Sequence, residues 1–308
     1  YSIIILVKIR VDIFMKFIFV VQNILGGLTL KELIKDNKVP SFVVTRKSDN
    51  YPNLVEETAL THKIPVYKTS EINEEKEIIQ KLSDLKPDII FCSAWGNIIK
   101  EPLLKIPKLG WVNFHPSFLP TYKGSSPITW QLINGEEFGG CTAHFMMAKV
   151  DAGKIIVREK IKIDPNDNSQ TLREKCGKSL GKLAVKTYDI LSKDPDFQGF
   201  MPKGEKSSYH PPREKNKLIG WNDKAVNIYN LIRGLSPYPC AILAYKNKEL
   251  RVSEATITGQ KSSTGLIGSI KKDSDGKLLV GTKDFFIKII SLRISDEIVD
   301  DYANRMGD

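Results

Sequence analysis

From residue 15 onward, the spacing of apolar positions switches repeatedly between short continuous runs and a helical period. "KFIFVV" (16–21), "SFVVT" (41–45), "IPVY" (64–67) and "PDIIFCSA" (87–94) are short runs rich in Val, Ile and Phe, the pattern of strands buried on both faces. Between them, "LTLKELIKD" (28–36), "LVEETALTHK" (54–63) and the charged "EEKEIIQKLSDL" (74–85) repeat their apolar residues every three or four positions and read as helices. This alternation predicts a Rossmann-like α/β domain built on a parallel sheet. Ligands of such sheets bind beyond the carboxyl ends of the strands, and "WGNII" (95–99) follows one such end. A dinucleotide site would need spaced glycines after the first strand. "VVQNILGGLTL" offers only the adjacent Gly26 and Gly27, which argues against that class.

The pattern continues with "WVNFH" (111–115) as a strand reaching the same edge, then "SPITWQLINGE" (126–136) as a helix with proline near its start. "GCTAHFMMA" (140–148) and "VDAGKIIVREKIKI" (150–163) read as further strands. The stretch "MPKGEKSSYHPPREKNK" (201–217) has no apolar period and reads as a linker, with His210 solvated inside it. One helix is predicted from Asp223 to Leu235, with Ala225, Ile228, Ile232 and Leu235 on a common face. The short β runs beyond it predict a small, OB-like β-barrel. The expected organisation is an α/β domain over 15–200, a linker over 201–217 and a barrel over 218–308. Residues 1–14 are expected to be an extension: their apolar run is broken by Lys8, Arg10 and Asp12 and makes neither a membrane span nor a signal core.

Composition changes this picture little. The net charge of +10 fits an anionic partner such as nucleic acid or a nucleotide, although a lysine-rich composition alone gives the same value. Cys92, Cys141, Cys176 and Cys240 are widely separated, so neither a zinc site nor a disulfide framework is indicated, no metal is expected, and a cytoplasmic location fits best.

Chemistry concentrates in "NFHPSFLPTYKGSSP" (113–127), which carries one of only four histidines and is too rich in proline to be a helix interior or central strand. With Asp151 it offers an amide, an imidazole and a carboxylate at strand ends or in adjacent loops. Such a set can orient a nucleophile, move its proton and stabilise an oxyanion. This stretch resembles the Asn-x-His and Ser-Leu-Leu-Pro-x-(Tyr/Trp)-(Arg/Lys)-Gly-x-x-Pro pattern of the folate-dependent formyltransferases, and "VDAGKII" resembles their Asp-x-Gly block. "IGWNDKAVNIYNLIRGLSPYP" (219–239) is similar to the entry into their second domain, departing at Gly220, where aspartate is usual, and at Cys240, where a smaller residue is common. "ANRMGD" (303–308) resembles the tail of that domain.

The resemblance implies 10-formyltetrahydrofolate as cosubstrate, with Asn113, His115 and Asp151 as the catalytic set. His115 would stabilise or protonate the oxyanion and Asn113 would donate a second hydrogen bond. Asp151 would orient His115 or accept a proton from the attacking amine. The backbone from Trp95 through Gly96, Asn97 and Ile98 to Ile99 would hold the pterin, although Trp95 equally fits simple loop packing. Ser117, Pro120, Lys123 and Gly124 would shape the acceptor wall, with Ser117 making a local turn bond rather than acting as nucleophile. Two acceptors fit the resemblance, methionyl-tRNA and the amino sugar of a sugar nucleotide. The short "TRKSDNYPNLVEE" loop (45–57) argues against tRNA; the positive charge, the basic linker and the complete second domain argue for it and tip the balance to methionyl-tRNA. A non-catalytic basic nucleic-acid-binding protein is the alternative of another class. It leaves Asn113, His115 and Asp151 without a role.

Overall fold

The computed structural model describes residues 14–47, 54–203, 208–210, 217–245 and 248–294. The N-terminal extension, the tip of the loop after the second strand, most of the linker and the C-terminal tail lie outside the described residues. In chain order the first 200 residues form β1 (Phe17–Val21), α1 (Asn23–Lys35), β2 (Val43–Thr45), α2 (Leu54–Thr61), β3 (Val66–Lys68), α3 (Lys76–Leu85), β4 (Ile89–Ser93) and the single-turn α4 (Glu101–Leu104). They continue with β5 (Trp111–His115), the two-residue β6 (Lys123–Gly124), α5 (Pro127–Ile133), β7 (Phe138–Phe145), β8 (Ile155–Lys162) and α6 (Ser169–Lys193).

Seven of these strands make one sheet in the order β3-β2-β1-β4-β5-β7-β8. β3, β2, β1, β4 and β5 run parallel, as the sequence predicts; β7 and β8 add antiparallel, so the sheet is mixed. The continuous apolar runs have the cause inferred from the pattern. In β1, Phe17, Phe19 and Val21 enter one core, and Ile18 and Val20 enter the core on the opposite face. β5 follows the same alternation until it runs out: Val112 and Phe114 join the first core and Trp111 the second, leaving Asn113 and His115 on Trp111's side at the strand's carboxyl end.

Two features depart from the sequence pattern. The helix α1 starts at Asn23, five residues upstream of the expected Leu28, and takes in Gly26 and Gly27, where its neighbours lie too close for side chains. A Cβ on Gly26 would sit 1.9 Å from Val21 Cγ2, and one on Gly27 would sit 2.6 Å from Leu54. The 25-residue α6 corresponds to no element predicted above. Its lysine-rich sequence hides a stripe of Leu172, Cys176, Leu180, Leu183 and Leu191 that packs under the sheet. A capping box at Asn168 and Thr171 opens it, and Gly177 and Gly181 let α1 cross closely.

After β9 (Tyr209–His210), helix α7 (Ala225–Leu235) falls within the predicted span. It packs on an antiparallel sheet of β10 (Ala241–Tyr245), β11 (Lys248–Lys261), β12 (Ile270–Lys272), β13 (Leu278–Gly281) and β14 (Phe285–Ile294), in the order β10-β11-β14-β13-β12. This is an architecture consistent with the small barrel. Its core contains Ile228, Ile232, Leu235, Val252, Val280 and Ile287. The other face of α7 meets the first unit. Gly234 lies against Ile133, and Arg233 donates to the carbonyls of Asp164, Pro165 and Asp167 at 3.2–3.4 Å.

Candidate active site

A cavity of about 360 Å³ opens beyond the carboxyl ends of β1, β4 and β5 and is lined by Asn113, His115, His144 and Asp151 together with Trp95 to Ile99. Strand geometry delivers the first two, since residues two apart on β5 share a face. β7 pairs Asn113 with His144 directly across the sheet. Asp151 arrives on a turn whose backbone is left-handed there, φ 45°, and whose tightness requires glycine two residues later. A Cβ on Gly153 would lie 1.7 Å from the Phe145 carbonyl oxygen.

The hydrogen bonds fix which ring atoms face the carboxylate. His115 Nε2 lies 2.9 Å from the Tyr122 carbonyl, which can only accept, so that nitrogen carries a proton and Nδ1 faces Asp151 Oδ2 at 3.6 Å. His144 Nδ1 likewise donates to the Phe145 carbonyl at 2.9 Å, turning Nε2 toward Asp151 Oδ1 at 3.4 Å. Asn113 Nδ2 reaches both His144 Nε2, at 3.3 Å, and Asp151 Oδ1, at 3.4 Å. The Gly124 N–H completes the set, donating to Asp151 Oδ2 at 2.8 Å. His115 is 5% exposed and the Asp151 side chain 8%, so these contacts act in a poorly solvated setting. Burial alone would raise the Asp151 carboxyl. The charge of His115, the hydrogen bond and charge of His144 and the Gly124 N–H outweigh it and hold the group well below the usual carboxylate range. Cys92, also at the cavity, is buried and its thiol is pushed up to about 12, which makes it a poor nucleophile.

All five residues from Trp95 to Ile99 line the cavity. The Trp95 indole N–H is buried without a partner among the described residues, while its ring packs on the second core. Ile98, Met147 and Val150 expose apolar surface at the same cavity, although they are 66%, 51% and 41% exposed. An orphaned donor beside apolar rims fits an aromatic ring with polar edges. Of the four residues assigned to the acceptor wall, Gly124 alone is in the lining. Ser117 is fully buried and its hydroxyl donates to the Thr121 carbonyl at 2.8 Å, the expected local turn bond. Pro120 is buried and its carbonyl accepts from Ser208, and Lys123 is engaged through its backbone with the chain near Tyr209. His144 had no part in the set read from the sequence. The signal available was a histidine at the third-last position of "GCTAHFM", where the strand's alternation points it to the same edge.

A mixed α/β sheet with this histidine–carboxylate cluster at its edge, followed by a small antiparallel domain, defines a class of two-domain transferases. The family described as "Formyl transferase" matches residues 13–187 and "Formyl transferase, C-terminal domain" matches residues 213–303. The chain belongs to the formyl transferase family and is an enzyme of that kind, which excludes the non-catalytic alternative. Among its relatives is the methionyl-tRNA formyltransferase of Clostridium tetani, 36% identical over 233 residues, 75% of this chain and 74% of the relative. An N-formyltransferase from Helicobacter canadensis, solved with folinic acid and dTDP-3-aminofucose, shares the fold with TM-score 0.67 at 20% identity, over 89% of this chain and 98% of that one. HypX from Aquifex aeolicus, solved with tetrahydrofolic acid, superposes with TM-score 0.65 at 14% identity, and this chain, 92% of it covered, spans 44% of that longer one. No helix among the described residues is long and apolar enough to cross a membrane.

Proposed function

We propose that the chain transfers the formyl group of 10-formyltetrahydrofolate to the amino group of methionyl-tRNA. The convergence of Asn113, His115 and Asp151 on one cavity carries this reading. The folate would supply an activated formyl carbonyl, and Trp95 to Ile99, with the apolar rim of Ile98, Met147 and Val150, would hold its ring.

Attack by an amine on a formyl carbonyl places negative charge on the carbonyl oxygen and an extra proton on the attacking nitrogen; collapse of that adduct would break the bond from the formyl carbon to N10, and the proton given up by the amine would end on N10 of the departing tetrahydrofolate. His115 is arranged for the first demand: with Nε2–H committed to Tyr122, Nδ1 is the atom that carries or delivers a proton. Asp151 beside it, ionised throughout the neutral range, stabilises the imidazolium. A carboxyl held that far down is a weak base, so its work is to hold charge on His115 and relay the amine's proton rather than retain it. Asn113 contributes an amide whose bonds to His144 and Asp151, at 3.3 and 3.4 Å, are long enough to be exchanged for a better acceptor when one forms.

The acceptor reading is supported by the name and identity of the Clostridium tetani relative, the match to both domains and the +10 charge. The interval from the end of β2 to the start of α2, residues 46–53, is short and favours a small amino-sugar nucleotide as the second reading. Labelled 10-formyltetrahydrofolate offered with methionyl-tRNA and with an amino-sugar nucleotide distinguishes them. Label in methionyl-tRNA at low salt supports the first reading, and label in the sugar nucleotide alone overturns it.

A further inference from the structure

The segment between the two family domains returns to the active-site loop. β6 and β9 pair in parallel, Lys123 with Tyr209 and Gly124 with His210. Just before β9, Ser208 makes three bonds to that loop, 86 positions away. Its N–H donates to the Pro120 carbonyl at 3.2 Å, its carbonyl accepts the Lys123 N–H at 2.9 Å, and its Oγ accepts the Tyr122 N–H at 2.9 Å. The loop residues held in this way are the ones that hold the chemistry: the Tyr122 carbonyl fixes His115 Nε2 and the Gly124 N–H binds Asp151 Oδ2.

The loop needs holding. Tyr122 has φ 57°, Gly124 φ 89° and Ser126 φ 55°, and a bulky residue stays in the left-handed region only where its surroundings impose it. For Tyr122 two such restraints are the Ser208 Oγ at its N–H and the Glu136 carboxylate at its hydroxyl.

We propose that Ser208 is a positioning residue of the formyl-transfer site, acting through the Tyr122 peptide to aim His115 and through the Lys123–Gly124 strand to seat Asp151. This rests on the roles given above to His115 and Asp151. Removing Oγ takes one restraint off the Tyr122 N–H and so off that residue's left-handed φ; the next peptide, which carries both the Tyr122 carbonyl and the Lys123 N–H, then aims less firmly at His115 Nε2 although its bond to the Ser208 carbonyl persists. The chemical step then slows without loss of either substrate's binding surface. It follows that the linker residues 208–210 are part of the catalytic loop's support rather than a passive tether.

The test uses the full-length chain as wild type, Ser208→Ala, Ser208→Thr and His115→Ala. It measures kcat and both KM values with 10-formyltetrahydrofolate and whichever of methionyl-tRNA or an amino-sugar nucleotide the wild type formylates, and thermal unfolding of each variant. Ser208→Ala is expected to lower kcat about tenfold with both KM values little changed and the unfolding midpoint close to wild type. Ser208→Thr, which keeps the hydroxyl, is expected to recover most of the rate. Wild-type kcat in Ser208→Ala beside a crippled His115→Ala overturns the inference and leaves the chemistry standing. So does a threonine variant as slow as the alanine one, a change confined to KM, or a loss of rate that tracks a loss of folded protein. A His115→Ala enzyme at wild-type rate removes the chemistry and the inference together.

Discussion

The roles proposed for His115 and Asp151 follow from their hydrogen bonds. The Tyr122 carbonyl makes Nε2 a fixed donor, so in the proposed mechanism the chemistry passes through Nδ1, and Asp151, surrounded by two imidazoles and a peptide N–H, stays ionised. The sign of the Asp151 shift sets a pH dependence. A carboxyl lowered from its ordinary 3.8 contributes stability that is fully present above that value and is withdrawn as pH falls below it toward the folded-state value. Acid unfolding followed by circular dichroism should therefore show a shallower loss of stability below about pH 4 in Asp151→Asn than in wild type; parallel curves would contradict the environment described here. Asn113→Ala is expected to lower kcat by on the order of 10²–10³ with folate affinity nearly unchanged, because an oxyanion donor acts in the transition state. An affinity loss at unchanged kcat would remove it from that role.

At the scale of elements, the site depends on close approaches that side chains would spoil. Gly153 is the clearest: alanine there would drive its Cβ into the Phe145 carbonyl, the same oxygen that accepts from His144 Nδ1. Gly153→Ala is expected to cost about 1–3 kcal/mol in thermal or urea unfolding and to reduce kcat as well, since the Asp151 turn and the His144 ring shift together. An alanine variant as stable and active as wild type would show that the turn has slack. Much of this level was legible in the chain. Buried strands announce themselves as unbroken apolar runs, so β1, β2, β4 and β5 stood out, and Asn113, His115 and Asp151 stood out with the loop and turn that carry them. Two things were not. The helix α6 is amphipathic with a lysine-covered outer face and two glycines in its packing stripe, so its period is diluted by residues chosen for contact with α1. His144 joins the site only through the register of β5 against β7, and pairing across a sheet leaves no local trace. Ser117 and Pro120, of the acceptor-wall set, shape the loop from within while Gly124 lines the cavity, and sequence does not separate a residue that forms a turn from one that faces a cavity.

At the scale of the whole molecule, α7 joins the second sheet to the first unit, and Arg233 is the main polar link, donating to three carbonyls of the segment that precedes α6. Arg233→Ala is expected to remove a donor from each of those carbonyls, although Asp164 still accepts from the Asp167 N–H and Pro165 from the Tyr229 hydroxyl, and to lower overall stability by about 1–3 kcal/mol. Unfolding identical to wild type would make the junction dispensable. The molecule's charge bears on its acceptor. If lysines of the second unit follow the phosphates of a tRNA, the logarithm of affinity should fall steeply and linearly with the logarithm of salt concentration, whereas a sugar nucleotide with two phosphates should respond weakly. The central claim, that His115 and Asp151 carry out formyl transfer, is tested most directly by single-turnover transfer from labelled 10-formyltetrahydrofolate, comparing wild type with His115→Ala and Asp151→Asn at saturating folate. A rate lower by about 10²–10⁴ in both variants, with folate still bound, is the predicted result, and transfer at the wild-type rate in either variant would contradict it.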